Sequence, residues 1–344
     1  MPQPMSPESA RDLLARAPFL HVAGLDADGH PLARPLHGAL VGDHLVFHGG
    51  ARGEKVELVG GPVVATACEV VARIPSWFLD AQRACPATTL YRSVEVRGVL
   101  EPLTDPAERA RALDAFSGEL QPERGFLPID LENPIYRGTL DGLFIAALPL
   151  DGLVSREKLG AERPAAWRSK VAAGLWGRGD PGDVEALEAL RTAAPDTPLP
   201  PVFSCRLEGF TLFGAADLRH LEAAVALLSP QYWNLGIAPE VLAHAHRHSS
   251  AWVVATDPEG QLAATARAVG DGRKVAWIYD VAVRADLRGR GLGKALLALL
   301  LDHPAVRRCG RVLLGTQDAM SLYAGFGFVP LHRPQSTVMV RTPT

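Results

Sequence analysis

The run Arg288-Gly289-Arg290-Gly291-Leu292-Gly293-Lys294 places three glycines and three basic residues in seven positions. It follows the alternating stretch KVAWIYDVAV and precedes the apolar run ALLALLL. It therefore reads as a loop joining a strand to a helix. Such a junction leaves backbone N–H groups free at a helix N-terminus, which suits an anion. Glycine lets the backbone approach that anion without a Cβ in the way. Arg288 and Arg290 add positive charge, so a phosphate or pyrophosphate is the natural guest. Two nucleotide loops do not fit. A P-loop needs glycine five residues before the Gly-Lys pair and Ser or Thr after it; those positions hold Arg288 and Ala295. A GxGxxG fingerprint begun at Gly289 meets Lys294, and one begun at Gly291 meets Leu296. The pattern that remains is Arg288-x-x-Gly291-x-Gly293.

Other residues could handle protons. Alternation along Val275–Val283 puts Asp280 on one face with Ile278 and Ala282. A carboxylate among apolar neighbours is a candidate base, because burial would raise its pKa; a capping or turn-bonding aspartate is the alternative. His244, His246 and His248 tempt a metal reading. Only His244 and His248 would share a helix face, and no carboxylate has an evident place beside them, so no metal site is read. Tyr232 and Trp233 would line a ligand pocket or belong to the core.

A second basic, glycine-rich stretch lies in the first half. VFHGGARGEKVELVGG ends a strand at His48, turns, and brings Lys55 to a helix start with Arg52 nearby. That again favours a phosphate.

The elements that must position these residues divide the chain. TAAPDTPLPPVF carries Pro195, Pro198, Pro200 and Pro201, a density that blocks helix and central strand alike. The division is residues 1–194, a linker at 195–203, and residues 204–344. The first part is mostly short strands with hairpin turns at DADG and VGD. Its helices are Ser6–Arg16 with Ser6 as N-cap, Pro106–Ser117 and Gly182–Ala193. Few helices among short strands suggest a small barrel. After the linker come a helix over Asp217–Ser229 with Leu218, Leu221, Val225 and Leu228 on one stripe, a helix opened by Pro239, a hairpin around PEG, the strand before the glycine loop, the strand RVLLGT and a short helix in DAMSLYAGFGF. That order is an α/β arrangement around a mixed sheet. The fold class expected is α+β in two domains.

A length of 344 residues suits two domains. Hydrophobic residues make up 47% of the chain, enough for sizeable cores. A net charge of −3 gives no global attraction to nucleic acid or anionic membrane. Cys68, Cys85, Cys205 and Cys309 are scattered without a CxxC pair, as in a reduced, cytoplasmic protein. The stretch MPQPMSPESARDLL has no basic region followed by an apolar run, so no signal peptide is expected. The run Ala295–Leu301 is too short to span a bilayer.

The glycine loop resembles the coenzyme A pyrophosphate loop of the GNAT N-acetyltransferases, and the likeness extends over Phe210–Val340. YDVAVRADLRGRGLGKALL is similar to the GNAT core motif. GTQDAMSLYAGFGFVPL is similar to the later helix whose tyrosine sits beside the thioester. QYW, LLDHP and DAMSLYAGFGF resemble a bacterial subgroup of unassigned substrate. The resemblance implies acetyl-CoA held by Arg288, Gly289, Arg290, Gly291, Leu292, Gly293 and Lys294. Backbone groups of Val281 and Val283 would pair with the pantetheine arm, and a backbone N–H there would stabilise the oxyanion. Tyr323 would be the acid for the departing thiolate. Asp280 would be the base, with ordered water as the alternative.

The first half, over Leu13–Leu190, resembles the pyridoxamine-phosphate-oxidase-like FMN-binding split barrels. IPSWFLDAQRACPATTLYRSVEVRGVLEPL is similar to their central strands, and REKLGAERPAAWRSKVAAGLWGRGDPGDVEALEAL to the tail of one branch. Members bind FMN, haem, a deazaflavin or nothing known. If FMN binds, Arg52 and Lys55 would hold its phosphate beside the strand end at His48. Arg34, Ser76, Trp77 and Tyr91 would meet the ring and ribityl chain. No His/Cys pair has haem spacing. The resemblance also implies a homodimer through the barrel.

Together these readings give an acetyl-CoA-dependent N-acetyltransferase acting on a small amine and carrying a flavin-type barrel. The alternative is an FMN-dependent oxidoreductase, or a ligand-binding regulatory module, with the acetyltransferase half as accessory.

Overall fold

The computed structural model describes residues 2–130 and 132–331, with the backbone alone for Arg137, Thr139 and Asp141. The last part of the stretch read as GNAT-like, to Val340, lies outside the described residues. The chain forms two compact units, Met1–Arg168 with Thr192–Pro195 and Ser169–Arg191 with Asp196–Thr344.

The first unit opens with α1 (Pro7–Arg16). Ser6 caps it, its Oγ accepting from the Ser9 N–H at 3.1 Å, and Pro7 occupies the first turn, where its missing N–H costs nothing. Then come β1 (Leu20–Leu25), β2 (Pro31–Leu36), β3 (Gly38–Val41) and β4 (His44–Gly50). The chain leaves one sheet for the other at His37, between β2 and β3. The long strands β5 (Pro62–Ile74) and β6 (Thr88–Val99) pair along their length, followed by β7 (Glu101–Pro102), α2 (Pro106–Leu120), α3 (Pro134–Asp141), β8 (Leu143–Pro149) and β9 (Leu153–Lys158). One sheet has the order β2-β1-β5-β6-β9 and the other β3-β4-β8-β7. Strand pairing is antiparallel throughout this unit. Alternating side chains such as Ala65, Val94 and Val96 meet Leu20, Phe47 and Leu148 in one core. Hydrogen bonding does not join the two sheets into one cylinder, which makes this a split barrel.

Most of α4 (Ala165–Arg178) and of α5 (Asp183–Ala193) belongs to the second unit and precedes its sheet. Trp176 donates to Asp302 at 2.6 Å, and its ring meets Phe203 at 4.8 Å. Phe203 is itself buried. Residues 169–191 thus group with the second half rather than with the barrel, where the sequence reading placed them.

The sheet follows the order β10 (Thr211–Phe213), β11 (Ala251–Thr256), β12 (Leu262–Gly270), β13 (Val275–Val283), β14 (Arg311–Leu313). It is mixed, because β13 and β14 run parallel while the other pairs are antiparallel. Its helices are α6 (Leu221–Leu228), α7 (Pro239–Arg247), α8 (Leu292–Asp302), α9 (Pro304–Arg307) and α10 (Met320–Ala324). α6 is shorter than the pattern suggested. Asp217 caps a 3₁₀ turn over Leu218–His220, and Leu218 leaves the apolar stripe at 64% exposure. Among the described residues, no helix is long and apolar enough to cross a membrane.

Candidate functional site

The parallel pair that makes the sheet mixed is short. β14 pairs only with Val275, Ala276 and Trp277 of β13. From Ile278 to Val283, β13 has no strand beside it on that side among the described residues. On its other side the register with β12 slips: Thr265 faces Ala282, yet Arg267 faces Tyr279. Asp280 and Val281 together therefore oppose Ala266, which is a β-bulge. Asp280 takes φ +55°, a left-handed conformation that aspartate adopts at some cost.

The Asp280 carboxylate holds this bulge. Its Oδ2 accepts from Arg267 Nε at 2.6 Å, and its Oδ1 accepts from Trp233 Nε1 and Asn234 Nδ2, each at 3.1 Å. Ile278, Asp280 and Ala282 are all buried, but the bulge breaks the expected alternation: Ala282 pairs with Thr265 and Ile278 with Ala268, so these two face opposite sides of the sheet. Three donors occupy the oxygens that a base would need open. Arg267 and Asn234 were not legible as site residues. They come from a neighbouring strand and a distant turn, and no sequence pattern links them to Asp280.

The glycine loop lies where β13 ends. Gly291 is the N-cap of α8 at φ +91°, and no side chain caps that helix. Gly289 sits at φ +74°. A Cβ on either would meet nothing within 4 Å, so backbone conformation, not space, demands glycine here. Gly293 differs: its Cβ would stand 3.3 Å from Val283 Cγ2, because the helix start rests on the strand end. Arg288 Nε donates to the Val283 carbonyl at 3.2 Å. Arg290 and Lys294 are exposed. The loop residues 288–294 and the end of β13, with Val281 and Val283, thus stand together.

Tyr323 on α10 is buried with its ring against Phe328. No described residue hydrogen-bonds its hydroxyl. Burial first, then nearby Tyr232 and Asp318, push its pKa above the ordinary tyrosine value. The turn Tyr232–Asn234 ties the two regions together. Tyr232 donates to Asp318 at 3.3 Å and accepts from the Gln317 N–H at 3.2 Å, while Trp233 and Asn234 bind Asp280. Tyr232 and Trp233 are 40% and 38% exposed, which is too open for core residues.

In the first unit the basic residues converge. Arg34 on β2 pairs with Glu54, next to Lys55. Lys55 Nζ donates to the Arg52 carbonyl at 2.8 Å and sits over the Phe144 ring. Neither Lys55 nor the Arg52 side chain has a carboxylate partner among the described residues. His48 lies apart, its ring 4.3 Å from Phe116 of α2, whereas the next residue, Gly49, faces Lys55. Burial, then His37, lowers the His48 pKa. Ser76 and Trp77 lie beyond the end of β5. Arg34 is level with Val22 and so with Ala65, nine residues before Ile74, a separation of about 30 Å along the strand. Tyr91 lies between, opposite Val70. A single chain therefore gathers Arg34, Arg52 and Lys55, but not the other four.

Residues 6–142 match the pyridoxamine 5'-phosphate oxidase family model, and residues 228–328 match the acetyltransferase (GNAT) family model. The chain carries an oxidase-like domain and a GNAT domain. Among solved structures, a GNAT-family protein of Xanthomonas campestris pv. campestris is 30% identical, over 39% of this chain and 94% of that one, with TM-score 0.36. The FAD and heme binding protein of Mycobacterium smegmatis is 25% identical, over 44% and 71%, with TM-score 0.36. A flavocytochrome of Azotobacter vinelandii is 22% identical, over 44% and 67%, with TM-score 0.36. No curated protein matches the chain.

In the GNAT domain, His244 and His248 stack on the exposed side of α7 with ring centres 4.0 Å apart, and His246 turns inward. Among the described residues, no group of three or more His, Cys, Asp or Glu is placed to hold a metal ion.

Proposed function

We propose that the GNAT domain transfers an acetyl group from acetyl-CoA to a small amine. The observation that carries this reading is the uncapped start of α8 at left-handed Gly291, beside the unpaired half of β13. The first supplies free N–H groups and positive charge for a pyrophosphate. The second supplies a free backbone edge at Val281 and Val283 for an extended arm. In this reading the amine nitrogen attacks the thioester carbon, the C–S bond breaks, and the thiolate takes the proton of Tyr323. The amine proton leaves through water, because donors already fill the Asp280 carboxylate. Asp280 instead positions the bulge, and a backbone N–H there meets the oxyanion. Calorimetry with acetyl-CoA, followed by free-thiol release across a panel of small amines, tests the reading. Absence of acetyl-CoA binding overturns it.

For the oxidase-like domain we propose FMN, with its phosphate on Arg52 and Lys55. Two cations without a carboxylate partner suit that phosphate. The bound flavin would supply redox chemistry. Its ring would meet Ser76, Trp77 and Tyr91 of a second copy across a two-fold axis, because one copy holds Ser76 and Trp77 about 30 Å from the level of Arg34, with Tyr91 about half-way. Visible flavin absorption after adding FMN and desalting supports this. A colourless protein supports a barrel that serves only as a ligand-free dimerisation or regulatory module.

A further inference from the structure

The GNAT domain has a cleft of about 580 Å³ that the acetyl-transfer reading does not use. It lies between the α4–α5 turn, the β12–β13 turn and the α8–α9 corner. The glycine loop starts α8 and the cleft lies at the other end of that helix, about 16 Å along its axis.

Two buried histidines in its wall have an unused ring nitrogen. His303 is 6% exposed, and its Nδ1 accepts from the Ala305 N–H at 3.1 Å. The ring proton is therefore on Nε2, and no described residue accepts it. His246 is 2% exposed, and its Nδ1 lies 2.7 Å from the Leu242 carbonyl. That fixes its proton on Nδ1 and leaves Nε2 a buried acceptor without a donor. One ring offers a donor and the other an acceptor, where buried polar groups are normally satisfied.

The charge around them is positive. Arg247 and Arg273 have no acidic partner among the described residues, and Arg308 binds only the carbonyls of Gly177 and Arg178. The acids are mostly spent. Asp271 accepts from the N–H groups of Arg273, Lys274 and Val275, and Asp180 pairs with Arg178 at 3.2 Å. Of the acids lining the cleft, Glu185 alone has no partner among the described residues. We propose that this cleft is a second ligand site, for a small hydroxylated carboxylate whose anionic end pairs with Arg247 and Arg273 and whose hydroxyl meets His303 Nε2.

Racemic malate and succinate carry the same charge and differ by one hydroxyl. Titrated calorimetrically into the full chain, malate should bind, and succinate should bind about fivefold more weakly or worse, the worth of one hydrogen bond. Saturating acetyl-CoA should not displace malate. Arg273→Ala, at an exposed turn, should weaken malate by about fivefold or more and leave acetyl-CoA affinity unchanged. His303→Asn keeps an acceptor for the Ala305 N–H but lacks the Nε2 donor, and should reduce malate to the affinity of succinate. If that variant fails to fold, Arg273→Ala decides. No malate binding, equal binding of the two acids, an unaffected Arg273→Ala variant, or displacement by acetyl-CoA each overturns the proposal.

Discussion

Arg267 Nε stands 2.6 Å from Asp280 Oδ2, with the two side chains 11% and 3% exposed. Removing one partner of such a pair strands a buried charge, at about 3–5 kcal/mol. Asp280→Asn isolates that cost, because asparagine tolerates the left-handed backbone at this position. We expect urea unfolding to show a loss of that size. Arg267→Met should lose a similar amount, and the double variant less than the sum. A change within about 0.5 kcal/mol for Asp280→Asn would mean that the pair does not hold the bulge.

Gly291 separates backbone strain from anion binding. Its φ is +91°, but a Cβ there would meet nothing within 4 Å. Gly291→Ala should cost about 1–2 kcal/mol of stability through conformation alone. Gly291→Asp adds a negative charge where the pyrophosphate is proposed to sit. Its acetyl-CoA affinity should fall by about tenfold or more, which is about 1.4 kcal/mol. Calorimetry giving the same Kd for the Ala and Asp variants would count against the loop as the anion site.

The loop was readable in the sequence because its information is local. Glycines that need positive φ, a preceding alternating strand and a following apolar helix all lie within thirty residues. The α1 cap at Ser6 and the turns at DADG and VGD were readable for the same reason. The anchors of Asp280 were not. Arg267 reaches it from the next strand and Asn234 from a turn 46 residues away, so only the register of β12 on β13 brings them in. The barrel set fails in a different way. Arg34 and Trp77 have the right chemistry, but β5 keeps them at different levels, and sequence carries no distance. The path of 169–191 was hidden too, since it depends on Trp176 finding Asp302 far along the chain.

That separation along β5 makes a test of assembly. If FMN spans two copies, light scattering should give twice the chain mass at micromolar concentration. Lys55→Ala should weaken FMN by about tenfold or more, the worth of a charge-assisted hydrogen bond, without dissociating the dimer. A monomer that binds FMN as tightly as any dimer would rule out the shared site.

Tyr323 is buried with no hydrogen-bond partner for its hydroxyl among the described residues, and burial raises its pKa. It keeps its proton through the neutral range, so it is armed as an acid. Tyr323→Phe should leave acetyl-CoA affinity nearly unchanged and reduce kcat by roughly 10²–10⁴. An intact Kd with reduced kcat marks an interaction made only in the transition state. The basic side of the kcat profile should not fall through tyrosine ionisation until above about pH 10. Turnover within about twofold of the parent would mean that the thiolate takes its proton from water.

His303 links burial to acid stability. Burial first, then Arg307, lowers its pKa from 6.5 to about 4. The unfolded chain takes up a proton as pH falls through 6.5, and the folded chain does not until about 4. The folded state is therefore favoured above 6.5 and loses that contribution on the way down, at about 1.4 kcal/mol per pH unit. Burial lowers His48, His220 and His246 in the same direction, so the parent slope is shared among them. His303→Asn removes one titration and keeps the cap, since asparagine can accept from the Ala305 N–H. Between pH 7 and pH 5 the variant should lose less stability than the parent, by about 1–2 kcal/mol. Urea unfolding of both proteins at the two pH values reads this directly. Parallel losses would mean that His303 is protonated in the folded chain, and that Arg307 and the surrounding apolar groups do not exclude its charge.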